Sequence, residues 1–191
     1  MKKKIFAVIS IIYNLFKFNF IKIFYYKNFI FEGLYLISPS TEIEVGKKST
    51  LKIGKKVKIR SGSKIHVRDK GRLEIGAHSF FNSGCFLVCH DNIQIGKNVQ
   101  LGPNVLIYDH DHDFRKQNGL ANLKYKTSPI IIGDNVWIGG NSVILRGTTI
   151  EDNVIIGAGS VIKGHYEKNS LIIQKRETLK KIYKEEFLES E

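Results

Sequence analysis

The sequence is sparing with several residue types. Its 191 residues include two cysteines, three prolines, one methionine and one tryptophan, against seventeen glycines. Two cysteines are too few for a disulfide framework, which fits a reducing compartment. No apolar run reaches the roughly 18 residues that a membrane-spanning helix requires. Residues 1–30 contain no acidic side chain. What is present is 42% hydrophobic and 25% charged, an average globular composition that argues against wholesale disorder. A chain of this size makes one domain and can bury a core without metal or disulfide staples.

The net charge of +12 is unevenly placed. Lys2, Lys3, Lys4, Lys17, Lys22 and Lys27 are interleaved with Ile, Phe and Tyr in residues 1–30. A basic start ahead of apolar residues 5–13 has the outline of a signal peptide, but no small-x-small cleavage site follows, and Asn14 and Lys17 interrupt the run. Two readings stay open. The segment lies on an anionic membrane face, or it is a helix plus an extended segment packed on the domain with its lysines solvated. From Lys47 to Arg72, eleven Lys or Arg stand against one acid, Asp69, and alternate with apolar residues as in strands with one solvated face. Such a patch suits phosphates on a coenzyme, a nucleotide sugar or a lipid headgroup. Nucleic acid is not expected as a partner, because no nucleic-acid motif is present and aromatics are sparse there.

A six-residue period runs through most of the chain. Ile132, Ile138, Ile144, Ile150, Ile156 and Ile162 are all isoleucine, within hexads such as Ile-Gly-Asp-Asn-Val-Trp and Ile-Gly-Ala-Gly-Ser-Val. The template recurs at Ile95, Leu101 and Ile107, at Ile53, Ile59 and Ile65, and as a fragment at Ile75. Six fits neither an amphipathic helix nor a hairpin array. It fits a solenoid in which each hexad is one short strand and one corner, with the aliphatic residue inside and Gly or Asn at the corner. Three hexads make a triangular coil, and coils stack at about 4.8 Å through parallel ladders.

These hexads, with Ile131-Ile-Gly-Asp-Asn-Val-Trp-Ile-Gly-Gly and Gly157-Ala-Gly-Ser-Val-Ile, resemble the hexapeptide-repeat acyltransferases, over roughly residues 43–162. The similarity is greatest to the maltose, galactoside and nodulation-type O-acetyltransferases and to those of capsule and lipopolysaccharide synthesis. The resemblance implies an all-β, left-handed parallel β-helix, the hand coming from the family rather than from the period. The chain then divides into a basic-aromatic segment (1–40), the β-helix (41–173, with an inserted loop at 108–129) and a C-terminal helix (174–191) with Leu179, Ile182, Tyr183 and Phe187 on one face. The resemblance also implies acetyl-CoA as co-substrate with no metal, a saccharide acceptor, and a homotrimer with active sites between subunits. The expected location is cytoplasmic, with residues 1–30 as a candidate contact to the inner membrane face.

The chemistry is expected where the repeat breaks. Between Ile107 and Ile132 the hexads give way to Tyr108-Asp-His-Asp-His-Asp-Phe-Arg, and long loops inside regular folds tend to carry function. Acyl transfer to a hydroxyl needs a base for the hydroxyl proton; histidine suits it, and a neighbouring carboxylate can orient the ring. Reading the family pattern without gaps from Pro103-Asn104-Val105 places the base on His112 in preference to His110. The same reading puts Asn82 on a substrate-contacting asparagine, with a plain corner asparagine as the alternative. Asp109 is grouped with Asn82 at the acceptor. The resemblance further implies that Trp137 lines the active-site channel, with an outward-facing aromatic at a subunit interface as the alternative.

Gly139, Ser142, Ala158 and Gly159 fall at like positions of consecutive coils and are coenzyme candidates on resemblance, with tight corners as the alternative. The family's closing Gly-x-Pro-Ala-Lys segment is replaced by Leu171-Ile-Ile-Gln-Lys-Arg-Glu-Thr, so Lys175 and Arg176, with Lys163, are the candidates for coenzyme phosphates. A zinc site built from loop histidines with His78 or His90 is disfavoured, since the His-x4-His of γ-type carbonic anhydrases is absent. Two rival functions remain: N-acetylation of a nucleotide-linked amino sugar, against which no Rossmann-like module precedes the repeat, and a non-enzymatic β-helical scaffold.

Overall fold

The computed structural model describes residues 2–25, 28–33, 35–115, 117–118, 120–175 and 177–181. The hexads build a three-faced prism of parallel strands. Face 1 is a seven-stranded sheet from Phe29–Phe31 to His165–Tyr166, face 2 a seven-stranded sheet from Leu36–Ile37 to Leu171–Ile172, and face 3 a six-stranded sheet from Glu42–Val45 to Val161–Ile162. Successive strands visit faces 1, 2 and 3 in turn, and every pairing between coils is parallel. This is the hexapeptide β-helix that the period implies.

Inward apolar residues fill the interior, one on each two-residue strand and two on the longer face 1 strands, such as Leu51 with Ile53 and Leu73 with Ile75. Ile132, Ile138, Ile144, Ile150, Ile156 and Ile162 are at most 2% exposed, as are Ile53, Ile59, Ile65, Ile95, Leu101 and Ile107. Each such side chain contributes about 1.5–3 kcal/mol relative to an exposed one. The corners need the left-handed backbone region, and Asn supplies it: Asn98, Asn135, Asn153 and Asn169 have φ of 57–59°. Their side-chain amides then bond down the stack at 3.0–3.2 Å. A second pair, Asn104 and Asn141, does the same at the corner between faces 2 and 3.

Three features differ from the sequence expectation. First, the early coils are longer than three hexads. Core positions on face 2 fall at Ile37, Ile59, Phe81 and Leu101, while Ile138 to Ile156 spans three hexads. The extra residues form turns between faces 3 and 1, such as 46–49 and 68–71, flanked by four-residue strands. Second, the solenoid starts at Phe29 rather than near 41, because Phe29–Phe31 and Leu36–Ile37 pair in parallel with Thr50–Ile53 and Lys58–Ile59. The first of these strands uses aromatics and neither is followed by the Gly-Asn corner, so the hexad template misses them. Third, residues 177–181 carry no helix, and the remainder of the expected C-terminal helix, Arg176 and 182–191, lies outside the described residues.

Helix α1 (Lys2–Tyr25) closes the first coil. Phe18, 1% exposed, sits among Phe29, Phe31 and Tyr35 with ring centroids 5.3–5.7 Å apart. Asn14 Nδ2 donates to the Ile37 carbonyl at 2.7 Å, and Lys17 Nζ donates to that of Thr41 at 2.8 Å. The helix thus plugs the core and meets carbonyls that no further coil would reach. Among the described residues, no helix is long and apolar enough to cross a membrane. Cys85 and Cys89 are buried, and burial raises the Cys85 thiol to about 11, which leaves both as inert core residues.

Phe18→Ala is expected to cost about 3–5 kcal/mol in denaturant unfolding. Phe16→Ala, on the opposite side of α1, should stay within about 0.5 kcal/mol. Equal effects would contradict the capping role.

Candidate active site

The chain leaves the solenoid at the corner between faces 3 and 1. After the face 3 strand Leu106–Tyr108, residues His110–His112 turn outward and pair antiparallel with Tyr125–Thr127, in the register His110 to Thr127 and His112 to Tyr125. The expected loop is therefore a hairpin arm. Ser128 N donates to the Asp109 carbonyl at 2.9 Å, closing its base, and Arg146 of the next coil donates to Asp111. The strands are polar outside the core and find no parallel partner, so the arm pairs with itself.

Asp109 anchors this base. Its side chain is fully buried and its carboxylate accepts from the backbone N–H groups of His90 (2.9 Å) and Asp91 (2.8 Å), with His110 Nδ1 3.4 Å away. Burial pushes the carboxyl pKa up, but hydrogen bonds from His110, His90, Asp91 and Cys89 outweigh it, and the net shift is downward. Asp109, a candidate for the acceptor side, is buried in the single chain and supports the arm there.

Beneath the arm lies a group that reading along the chain does not reveal. His90 Nδ1 is 2.6 Å from Asp69 Oδ2, and the His90 ring is 4.1 Å from that of His110 and 4.3 Å from that of Tyr125. A carboxylate only accepts, so His90 donates from Nδ1 to Asp69 and His110 turns its Nδ1 toward Asp109, which directs each Nε2 away from its acid. Asp69, His90 and His110 stand one above another because they are one coil apart. Comparing residues about 20 apart, the local coil length, would have exposed the column.

His112 is placed differently. It is exposed, its ring lies 5.1 Å from that of Tyr125, and it borders a cavity of about 120 Å³ with Asp111, Phe114, Arg115, Lys126 and Arg146. His110 is 14% exposed and enclosed by Tyr108, His90 and Tyr125. Of the two histidines, only His112 stands open to a ligand on its own chain.

The other candidates gather elsewhere. Asn82 sits at the corner between faces 2 and 3, half-buried, its Oδ1 accepting from Ser83 N at 2.9 Å. Trp137 points outward from face 2, 54% exposed, in register between Gln100 and Ile155. Gly139, Ser142, Ala158 and Gly159 occupy the same 2–3 corner in two stacked coils, where Gly159 N donates to the Gly140 carbonyl at 2.8 Å. A Cβ on Gly139 would collide with the backbone of Ala158, so that glycine is dictated by coil stacking. Ser142 is buried, and its hydroxyl donates to Gly157 O (3.2 Å) and accepts from Ser160 N (3.3 Å). That leaves exposed Ala158 and half-buried Gly159 on the outside.

Lys163 and Lys175 are exposed near the last coil, where the Gln174 amide pairs with Val161 N and O at 2.8 and 2.7 Å as a further strand would. Arg176 lies outside the described residues. Within one chain the face 3 strands separate Asn82, Trp137 and the 2–3 corner from the arm, since Asn82 precedes such a strand and the arm follows one; Lys163 follows a face 3 strand and lies on the arm's own corner, in a later coil. Neither His78, at a face 1–2 corner, nor any other described residue adds a metal-like grouping at the arm. Among the described residues the grouping with such spacing is Glu42, Glu44 and His66, on face 3 of the first coils, and its carboxylates are engaged by Lys64 and Arg68.

Comparisons with known proteins agree with the resemblance. Residues 129–164 match the family model described as bacterial transferase hexapeptide (six repeats). The galactoside O-acetyltransferase of Escherichia coli K12 is 37% identical over 94 residues, 47% of this chain and 44% of that protein. WbbJ of the same strain, which carries the name of a lipopolysaccharide-biosynthesis O-acetyl transferase, is 30% identical over 90 residues, 43% of this chain and 46% of its own. The hexapeptide-repeat acetyltransferase VCA0836 of Vibrio cholerae, solved with acetyl coenzyme A, superposes with a TM-score of 0.51 at 26% identity, covering 74% of this chain and 66% of that one. The chain thus spans under half the length of the curated relatives it matches, and is similar to hexapeptide-repeat acetyltransferases in fold and in its repeat sequence.

Because the folded pKa of Asp109 is depressed, its stabilisation is present above the ordinary aspartate value of about 3.9 and is lost as pH falls through the lower folded value. Asp109→Asn is expected to cost about 2–4 kcal/mol at neutral pH and to reduce the acid dependence of stability. Denaturant titrations at several pH values test this; an unchanged stability at neutral pH would contradict it.

Proposed function

We propose that the protein transfers the acetyl group of acetyl-CoA to a saccharide hydroxyl, in a surface polysaccharide such as lipopolysaccharide or capsule or in a precursor of one. The observation that carries the reading is the exposed His112 at the root of an arm whose base is fixed by Asp109 and the Asp69–His90 pair. His112 acts as general base: it takes the hydroxyl proton as the oxygen attacks the thioester carbonyl, and returns it to the departing coenzyme A thiolate. His110 positions the arm. The choice of a saccharide hydroxyl rests on the galactoside and WbbJ similarities.

The site is completed between copies of the chain in a C3 trimer. Two exposed apolar surfaces support this. The arm tip presents Phe114, Leu120 and Leu123 at 60–68% exposure, and face 2 presents Trp137, Ile155 and Leu171 at 37–60%. A neighbour's arm laid over face 2 covers both and brings His112 to the side of Asn82 and Trp137. The coenzyme then lies along the outer 2–3 corner past Ala158 and Gly159, with Lys175 toward its phosphates and Lys163 across the short face 3 strand from it.

Coenzyme A release from acetyl-CoA, with a panel of oligosaccharides and nucleotide-linked amino sugars, tests the reading. Turnover on an oligosaccharide is expected, with His112→Ala lowering kcat/KM by about 10²-fold or more and His110→Ala by less. Turnover confined to amino-sugar nucleotides would instead assign N-acetylation, and absence of coenzyme binding would leave a scaffold.

A further inference from the structure

The terminal coil of a solenoid is capped because its core and strand ends would otherwise be exposed, and a cap ordinarily turns a polar face to water. Helix α1 departs from that rule. Its inner side holds Asn14 and Phe18, both at most 2% exposed. Its outer side holds Phe16 (75% exposed), Ile23 (72%), Phe20 (63%), Val8 (55%), Ile9 (53%) and Ile12 (49%). At 100° per residue these positions centre opposite Phe18 and Asn14. The end of the prism is therefore finished with an apolar surface, set apart from the arm and from Trp137, which project from the sides of later coils.

Charge is concentrated at the same end. Residues 1–72 contain 17 Lys or Arg and 4 acids, whereas residues 73–191 contain 13 and 14, so the entire positive excess belongs to the first coils and their cap. Beside α1, on face 2, an open cavity of about 510 Å³ is lined by Tyr35, Lys56, Lys58, Arg60 and His78 with no acidic residue among its walls. His78 takes a φ of 64° there, which is uncommon for a residue with a side chain.

We propose that the capped end is a docking surface for an anionic phospholipid leaflet: the outer side chains of α1 enter the boundary of the acyl chains, and the cations of the first coils receive lipid phosphates, with the cavity under the helix as a headgroup site. A helix lying in the interface with a polar lower flank and an apolar upper one is how proteins bind without spanning. A second copy of the cap is a poor occupant, because residues 1–31 supply only lysines and no acid to pair with them. In the trimer of the proposed function all three caps share one end, which multiplies the attachment, but the docking of a single chain does not depend on that assembly or on acetyl transfer.

Vesicle flotation of the full chain decides it, with phosphatidylcholine alone and with a mixture rich in phosphatidylglycerol. The protein is expected to float with the anionic vesicles, to be released by raised salt, and to stay behind with phosphatidylcholine. Phe16→Ser/Phe20→Ser/Ile23→Ser should reduce partitioning about tenfold or more, and Lys56→Gln/Lys58→Gln/Arg60→Gln should weaken it with anionic vesicles only. Circular dichroism confirms folding of each, with Phe16→Ser alone as a milder substitute. Failure to float with anionic vesicles would overturn the proposal, as would equal flotation of the apolar variant. So would dissociation of an oligomer by that variant in sedimentation, which would assign the face to a second copy. Acetyl transfer to a soluble acceptor, measured alongside, reads the enzymatic proposal separately.

Discussion

Parallel stacking of coils is the constraint on which the rest of this structure depends. Each coil must repeat the register of the one beneath it, with apolar residues inside each face and left-handed residues at the corners. Residues surplus to the coil leave at a corner. The arm that begins at Tyr108 does so, and the solenoid resumes with Ile130 in register with Ile93 as though nothing intervened. The same constraint aligns chemistry vertically. Asp69, His90 and Asp109 come from three coils and meet only because the coils stack.

The result is a division of labour between rigid and projecting parts. A buried carboxylate fixes the root of the arm by taking backbone N–H groups from the coil below it, and aromatic rings fill the space between. What projects is short, polar at its root and apolar at its tip. Side chains held on such a root are positioned by the scaffold. At the other extremity, α1 solves the end problem of the solenoid with a phenylalanine plug and two side-chain hydrogen bonds to carbonyls of the first coil.

Much of this was legible in the sequence because hexad periodicity is a direct readout of coil geometry: the isoleucine columns, the asparagine corners and the site of the inserted arm all follow from it. The longer early coils were not, since their surplus residues sit in turns that the hexad template skips. The first coil was hidden because Phe29 and Phe31 do the work that isoleucine does elsewhere. The Asp69–His90 pair and the burial of Asp109 depend on contacts between coils, and the sequence along one coil carries no trace of them. Ser142 is a coenzyme candidate on resemblance, yet its hydroxyl is engaged inside the corner by contacts between coils.

The central claim is that the site is complete only between two copies, with the arm from one and face 2 from the next. Its most direct test mixes two inactive variants, His112→Ala and Trp137→Ala, after dissociation and reassembly in equal amounts, and measures acetyl transfer. In a C3 trimer a productive interface then pairs an intact arm with an intact face, and random assembly restores about a quarter of the wild-type activity. Recovery of no more than the residual activities of the separate variants would show that each chain carries its own site, and the account would fail.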